Sequence, residues 1–154
     1  MLGSLKVFFD AVRSGGSAEA SKVDGSEEAV AALLVKAATL DGDFGADERR
    51  AIESLLASRF SCSPEEAVAK VDAAAKDLES SVDFYSFTKV IRDEFDHDQR
   101  VELMEMLWEV AYADGVLNDY EASLMRRVTG LIYVTDQESG AARKRVMQKL
   151  GLAE

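Results

Sequence analysis

One stretch, Leu103 to Gly130, is written twice in this chain, and the earlier copy stands 73 positions upstream. At that offset Asp114-Gly115 falls on Asp41-Gly42, Leu117 on Phe44, Glu121 on Glu48 and Ala111 on Ala38. The apolar positions follow, with Leu103 on Val30, Met106 on Leu33, Leu107 on Leu34, Met125 on Ile52 and Val128 on Leu55. An internal repeat restricts the fold before any single residue does. Two copies are too few for a solenoid, so the expectation is one compact domain whose halves pack on each other around a pseudo-two-fold axis.

Each copy reads as helix, tight Asp-Gly turn, helix. Leu103, Met106, Leu107, Val110 and Ala111 keep helical spacing before the second turn, as Ala29, Val30, Leu33, Leu34 and Ala37 do before the first. Gly42 and Gly115 supply backbone freedom where a helix must stop. Gly45 and Asn118 are placed to cap the following helices, with Glu48 and Glu121 three residues on as the reach-back partners of capping boxes.

The rest of the chain extends this pattern. Residues 1–13 read as an amphipathic helix with Leu5, Phe8, Phe9 and Val12 on one face, and residues 14–25, rich in glycine and serine, as a flexible linker. The domain proper is expected over 26–154. Repeat one covers 26–80, with helices from Ser26 to Leu40, from Ala46 to Arg59 and from Pro64 to Ser80. In the last of these a serine cap precedes a proline at the first helical position, and Val68, Val71, Ala75 and Leu78 face inward. A connecting helix spans 82–95 with Phe84, Phe87, Val90 and Ile91 buried. Repeat two covers 98–151: Asp96 and Gln99 open its first helix, and Thr135 to Glu138 open its last, with Val146, Met147 and Leu150 inward. The fold class expected is all-α, with eight helices including the N-terminal one.

At 154 residues such a domain needs no metal or disulfide staple to hold its core. The balance of 29 acidic against 18 basic residues leaves a net charge of −11, which repels phosphate backbones and argues against nucleic acid as a partner. The same field favours divalent cations and basic protein surfaces. A single cysteine, Cys62, forms no disulfide within the chain and suits a reducing compartment as a small half-buried side chain. No run approaches the ~18 apolar residues that span a bilayer. The N-terminus, interrupted by Asp10 and without a cleavage-site pattern, does not read as a signal peptide, so a cytoplasmic location is expected. The apolar helix at residues 1–13 has two readings: it docks on its own domain or on a sister copy, giving a homo-oligomer, or it engages a membrane surface or a protein partner.

The run Leu107-Trp-Glu-Val-Ala-Tyr-Ala-Asp-Gly-Val-Leu-Asn-Asp-Tyr-Glu121, its looser counterpart Ala37-Ala-Thr-Leu-Asp-Gly-Asp-Phe-Gly-Ala-Asp-Glu48 and the trailing Leu131-Ile-Tyr-Val together resemble the TerB-like family. That family takes in tellurite-resistance proteins and the N-terminal domain of certain membrane-anchored J-domain co-chaperones. The resemblance covers about residues 26 to 151. It implies an all-helical array, acidic positions near a pseudo-two-fold axis, a role in divalent-metal binding, and work as a non-enzymatic module in bacterial stress-response assemblies at the inner face of the membrane. The metal positions it implies are Asp41, Glu48, Asp114 and Glu121. Copy one departs by carrying Asp43 and Asp47 where copy two has Val116 and Tyr120, so the two halves are not expected to bind alike.

Physical chemistry gives those four carboxylates two roles. If the turns converge, like charges in a small volume raise one another's pKa unless a cation intervenes, and oxygen-only ligands suit calcium, magnesium or manganese. Capping alone also accounts for both residue types, each Asp satisfying amides of its own turn and each Glu closing a box. An EF-hand is excluded, because counting from Asp41 puts Ala46 and Ile52 where glycine and a bidentate Glu are required.

Glu94 and His97 have the spacing of half a di-iron motif, but His97 is the only histidine, which also rules out a histidine-based zinc site. No nucleophile elbow or phosphate loop is present, and an enzyme working through paired carboxylates is the least supported class. Met104, Met106, Trp108 and Tyr112 read as core rather than as a cofactor box. The basic clusters Arg126-Arg127 and Arg143-Lys-Arg145 read as helix surface or as a dock for an acidic partner or headgroup.

Overall fold

The computed structural model describes residues 17–39, 45–60, 62–79, 84–113 and 119–152. Those residues form seven helices: α1 Ser17–Thr39, α2 Ala46–Arg59, α3 Pro64–Glu79, α4 Phe84–Glu94, α5 His97–Ala111, α6 Asp119–Leu131 and α7 Asp136–Lys149. The domain is all-α. None of these helices is long and apolar enough to cross a membrane.

Two helices are buried nearly all round and the others surround them. In α1 every residue from Ala29 to Ala38 except Lys36 is buried, and in α5 the same holds from Glu102 to Ala111 except Glu105. A helix buried on all faces needs neighbours on all faces. Accordingly α1 packs on α2, α3, α4 and α5, and α5 packs chiefly on α7 and α1. The alanines at 29, 31, 32, 37 and 38 leave room for those neighbours.

The helix starts are set locally. Ser63 and Glu66 form a reciprocal box ahead of Pro64, with the Ser63 amide donating to Glu66 Oε1 at 2.8 Å and the Glu66 amide to Ser63 Oγ at 3.1 Å. Asp96 and Gln99 do the same for α5, at 2.7 Å and 2.9 Å. Thr135 and Glu138 do so for α7, at 2.9 Å and 3.1 Å. α2 begins with half of this device: the Gly45 amide donates to Glu48 Oε1 at 3.2 Å, and glycine has no side chain to return the bond.

The two C-terminal helix ends use a left-handed residue. Gly151, at φ 73°, closes α7 with the Leu152 amide donating back to Met147 O at 2.8 Å. Tyr133, at φ 61°, closes α6 in the same way, the Val134 amide donating to Thr129 O at 3.0 Å. Tyr133 is the one non-glycine residue with positive φ among the described residues.

Several expectations are corrected here. α1 begins at Ser17 rather than Ser26, so residues 17–25 of the expected 14–25 linker are helix. Ala18, Glu19, Ala20 and Lys22 are good helix formers, and a lone interior Gly25 costs only ~1 kcal/mol relative to alanine. Val68 is 38% exposed because the buried line of α3 runs through Ala67, Val71 and Ala74, one step round the helix. Leu150 is 42% exposed because it sits at the C-cap, past the buried line of Ser139, Ala142 and Val146. The expected helix at residues 1–13 and the capping residue Asn118 lie outside the described residues.

Of the helix bounds, the starts of α2 and α6, Ala46 and Asp119, keep the offset expected for the repeat, while Pro64 and Asp136, which open α3 and α7, miss it by one residue and the helix ends do not keep it. The packing follows it only in part. α1 lies broadly on α3 as α5 does on α7, whereas α2 lies broadly on α3 and α6 meets α7 sparsely.

Candidate functional site

Of the four acidic positions, Glu48 is the one whose side chain is described. It sits in the first turn of α2, 8% exposed, its Oε1 accepting the amide of Gly45, the residue before the helix. Asp41 and Asp114 lie outside the described residues; Glu121 falls within α6, with its side chain likewise outside them. Among the described residues no three His, Cys, Asp or Glu side chains gather closely enough to hold a metal ion.

Helix α2 and the end of α5 share a groove of about 700 Å³. Asp47, Arg50 and Ser54 enter it from α2, Tyr112 and Ala113 from the end of α5, and Lys149 from α7. Ala113 immediately precedes Asp114, and Asp47 opens the helix that follows Asp41. The walls carry ion pairs of different kinds. Arg50 and Asp47, 2.8 Å apart and largely exposed, contribute little. Lys149 pairs with Glu109, whose carboxylate is largely buried. Arg59 pairs with Glu102 in the interior, joining α2 to α5 beneath the groove.

A second, acidic recess of about 400 Å³ opens between the starts of α5 and α7, where His97 pairs with Glu138 and Glu105 with Arg145. The Thr135 amide, and after it the His97 ring, hold the Glu138 carboxyl below its ordinary value. His97 is thus a surface pairing residue at the start of α5.

The aromatic stripe is core with one addition. Trp108 and Tyr112 are 6% and 7% exposed and stacked, their centroids 6.1 Å apart. The Trp108 indole N–H donates to Ser139 Oγ at 3.3 Å. Arg143, expected as helix surface or as part of a dock for an acidic partner or headgroup, lies over both rings at 5.7 Å and 5.9 Å and donates from Nε to Tyr112 Oη at 2.7 Å. Local spacing carries no sign of this contact, because its partners stand 31 residues apart. Buried polar links were equally hidden: Glu27, 1% exposed on α1, pairs with Lys70 of α3 at 2.7 Å. Cys62 is half-buried, its Sγ 3.6 Å from Leu56 O.

No curated protein and no solved structure matches the chain. The family model described as tellurite resistance protein TerB matches residues 27–144, from the buried part of α1 into α7, which is more than half of the chain. With that span of the helical domain matched, the chain belongs to the TerB family of tellurite resistance proteins.

Proposed function

We propose that this chain is a non-enzymatic interaction module of a tellurite-resistance-type stress assembly, working in the cytoplasm at the inner face of the membrane, and that its two acidic turns hold a divalent cation. The observation that carries the reading is the shared groove: Asp47, on the helix after the first turn, and Ala113, the residue before the second, line the same recess. Asp41, Glu48, Asp114 and Glu121 are the residues that would hold the ion. Their donors are oxygen only, which fits calcium, magnesium or manganese and not zinc. Glu48 fits such a role, being anchored at the turn through the Gly45 amide.

A bound cation supplies the positive charge that offsets repulsion among these carboxylates. With the two turns tied together, the helices that flank them present a fixed surface to a protein partner. Calorimetric titration with calcium, magnesium and manganese, alongside thermal melts, tests this directly. Binding heat and a raised melting temperature are expected, both lost in Asp41→Asn/Asp114→Asn. No heat and no thermal shift at millimolar metal would remove the cation from the reading. The interaction role is tested separately by recovering proteins bound to the full chain and to a chain lacking residues 1–13. A partner retained without metal and lost with that deletion would place recognition in the N-terminal segment.

A further inference from the structure

Where α6 and α7 meet sparsely, a cleft of about 270 Å³ opens with Trp108 and Met125 beneath it and Arg126 and Arg143 on its two sides. The chain carries a net charge of −11, and the other described guanidinium groups show what that surplus of acid does. Arg49, Arg50, Arg59, Arg92 and Arg145 each pair with a carboxylate, and Arg100 donates to the carbonyls of Arg92 and Phe95. Arg126 and Arg143 have no carboxylate in ion-pair reach among the described residues, although Asp136 stands at the rim of the same cleft.

Arg143 is also held in place. Its Nε is committed to Tyr112 Oη at 2.7 Å and its Cζ lies 5.7 Å and 5.9 Å from the Trp108 and Tyr112 ring centroids, which leaves the terminal Nη groups as donors. A guanidinium held by a hydrogen bond and two aromatic rings loses less freedom when it binds, and its planar fork matches an oxyanion. Thr129 and Ser139 also line the recess, with the Thr129 hydroxyl donating to Arg126 O at 2.8 Å and Ser139 Oγ accepting from the Trp108 indole.

The geometry points to an oxyanion-binding cleft between α6 and α7 in which Arg126 and Arg143 clamp a phosphate or carboxylate group over the Trp108 floor. Pockets that enclose a whole organic ligand run from ~300 to ~1,000 Å³, so this smaller cleft takes a charged group or a small dianion. Binding relies on short-range contacts set against the repulsion of the acidic surface, and salt screens both. The test of this cleft does not depend on metal.

Trp108 is the only tryptophan in the chain and forms the floor of the cleft, so its emission reports occupancy. Inorganic phosphate and succinate are titrated into the full chain at constant ionic strength, with chloride as the balance. A saturable change in emission with either anion is expected, and the tighter of the two identifies the group preferred. In Arg126→Gln the affinity should fall roughly tenfold or more, the scale of one charge-assisted contact. Arg143→Gln should do the same; since Arg143 also supports Tyr112, the exposed Arg126 is the decisive variant. No saturable change with either anion, or a response that survives Arg126→Gln undiminished, would overturn the assignment.

Discussion

Arg59, in the last turn of α2, donates from Nη1 to Glu102 Oε2 on α5, and the two side chains are 7% and 2% exposed. Both charges are out of water, so each depends on the other for its solvation. Removing one partner of a buried ion pair costs about 3–5 kcal/mol. Arg59→Met and Glu102→Leu are each expected to lower stability on that scale in urea unfolding, whereas the double variant should recover most of the loss. Two single losses that simply add would show that the pair contributes no coupling.

Tyr133 offers the opposite kind of change. It occupies, at φ 61°, the position that Gly151 takes at the end of α7, and a side chain in the left-handed region costs roughly 1–2 kcal/mol. Its ring is 64% exposed and gains only the Arg92 guanidinium at 5.7 Å, a contact of about 0.5–1 kcal/mol at the surface. Tyr133→Gly should therefore stabilise the domain by a few tenths to about 1 kcal/mol, after allowing for the greater freedom of glycine in the unfolded chain. A lower melting temperature for this variant would mean that the ring contributes more than its exposure implies.

The elements whose causes are local were legible in the sequence, and the contacts that join them were not. Pro64 after Ser63, Asp96 before Gln99 and Thr135 before Glu138 mark helix starts within four residues, and each marks an observed start. Ala46–Arg59 matched the expected helix at both ends. The first turns of α1 were missed because Gly25 and the surrounding serines outweighed Ala18, Glu19 and Ala20 in a reading based on composition. Arg59 with Glu102, His97 with Glu138 and Arg143 with Tyr112 are separated by 43, 41 and 31 residues, and nothing in either local neighbourhood announces the other. Of the candidate site, the family resemblance implied four carboxylates; the described residues add the groove between α2 and the end of α5.

Acid should unfold the domain partly through Glu138. Its carboxyl is held below the ordinary 4.5, first by the Thr135 amide and then by the His97 ring. A carboxylate with a depressed folded pKa adds stability that is fully present above its unfolded value and is lost as pH falls through the folded value. The loss therefore begins below about pH 4.5 and increases toward lower pH. Glu138→Gln keeps an acceptor for the Thr135 amide but cannot titrate. Urea midpoints measured from pH 7 down to pH 3 should fall less steeply in this variant than in the wild type over the acid limb. Parallel slopes would show that Glu138 is not among the groups that drive acid unfolding.

A last contrast tests which helix faces form the core. Leu107, on the central α5, is fully buried, and Leu107→Ala should leave a cavity costing about 2–5 kcal/mol. Val68 has the apolar character of a core residue and a place at helical spacing from Val71 and Ala75, yet it is 38% exposed on α3. Val68→Ala removes little buried surface and introduces a better helix former, so its effect should stay within about 0.5 kcal/mol. Chemical denaturation of the two variants under one condition compares them directly. A loss above ~2 kcal/mol for Val68→Ala would require another surface to cover that face of α3, and the loss should then depend on protein concentration if the cover is a second copy of the chain.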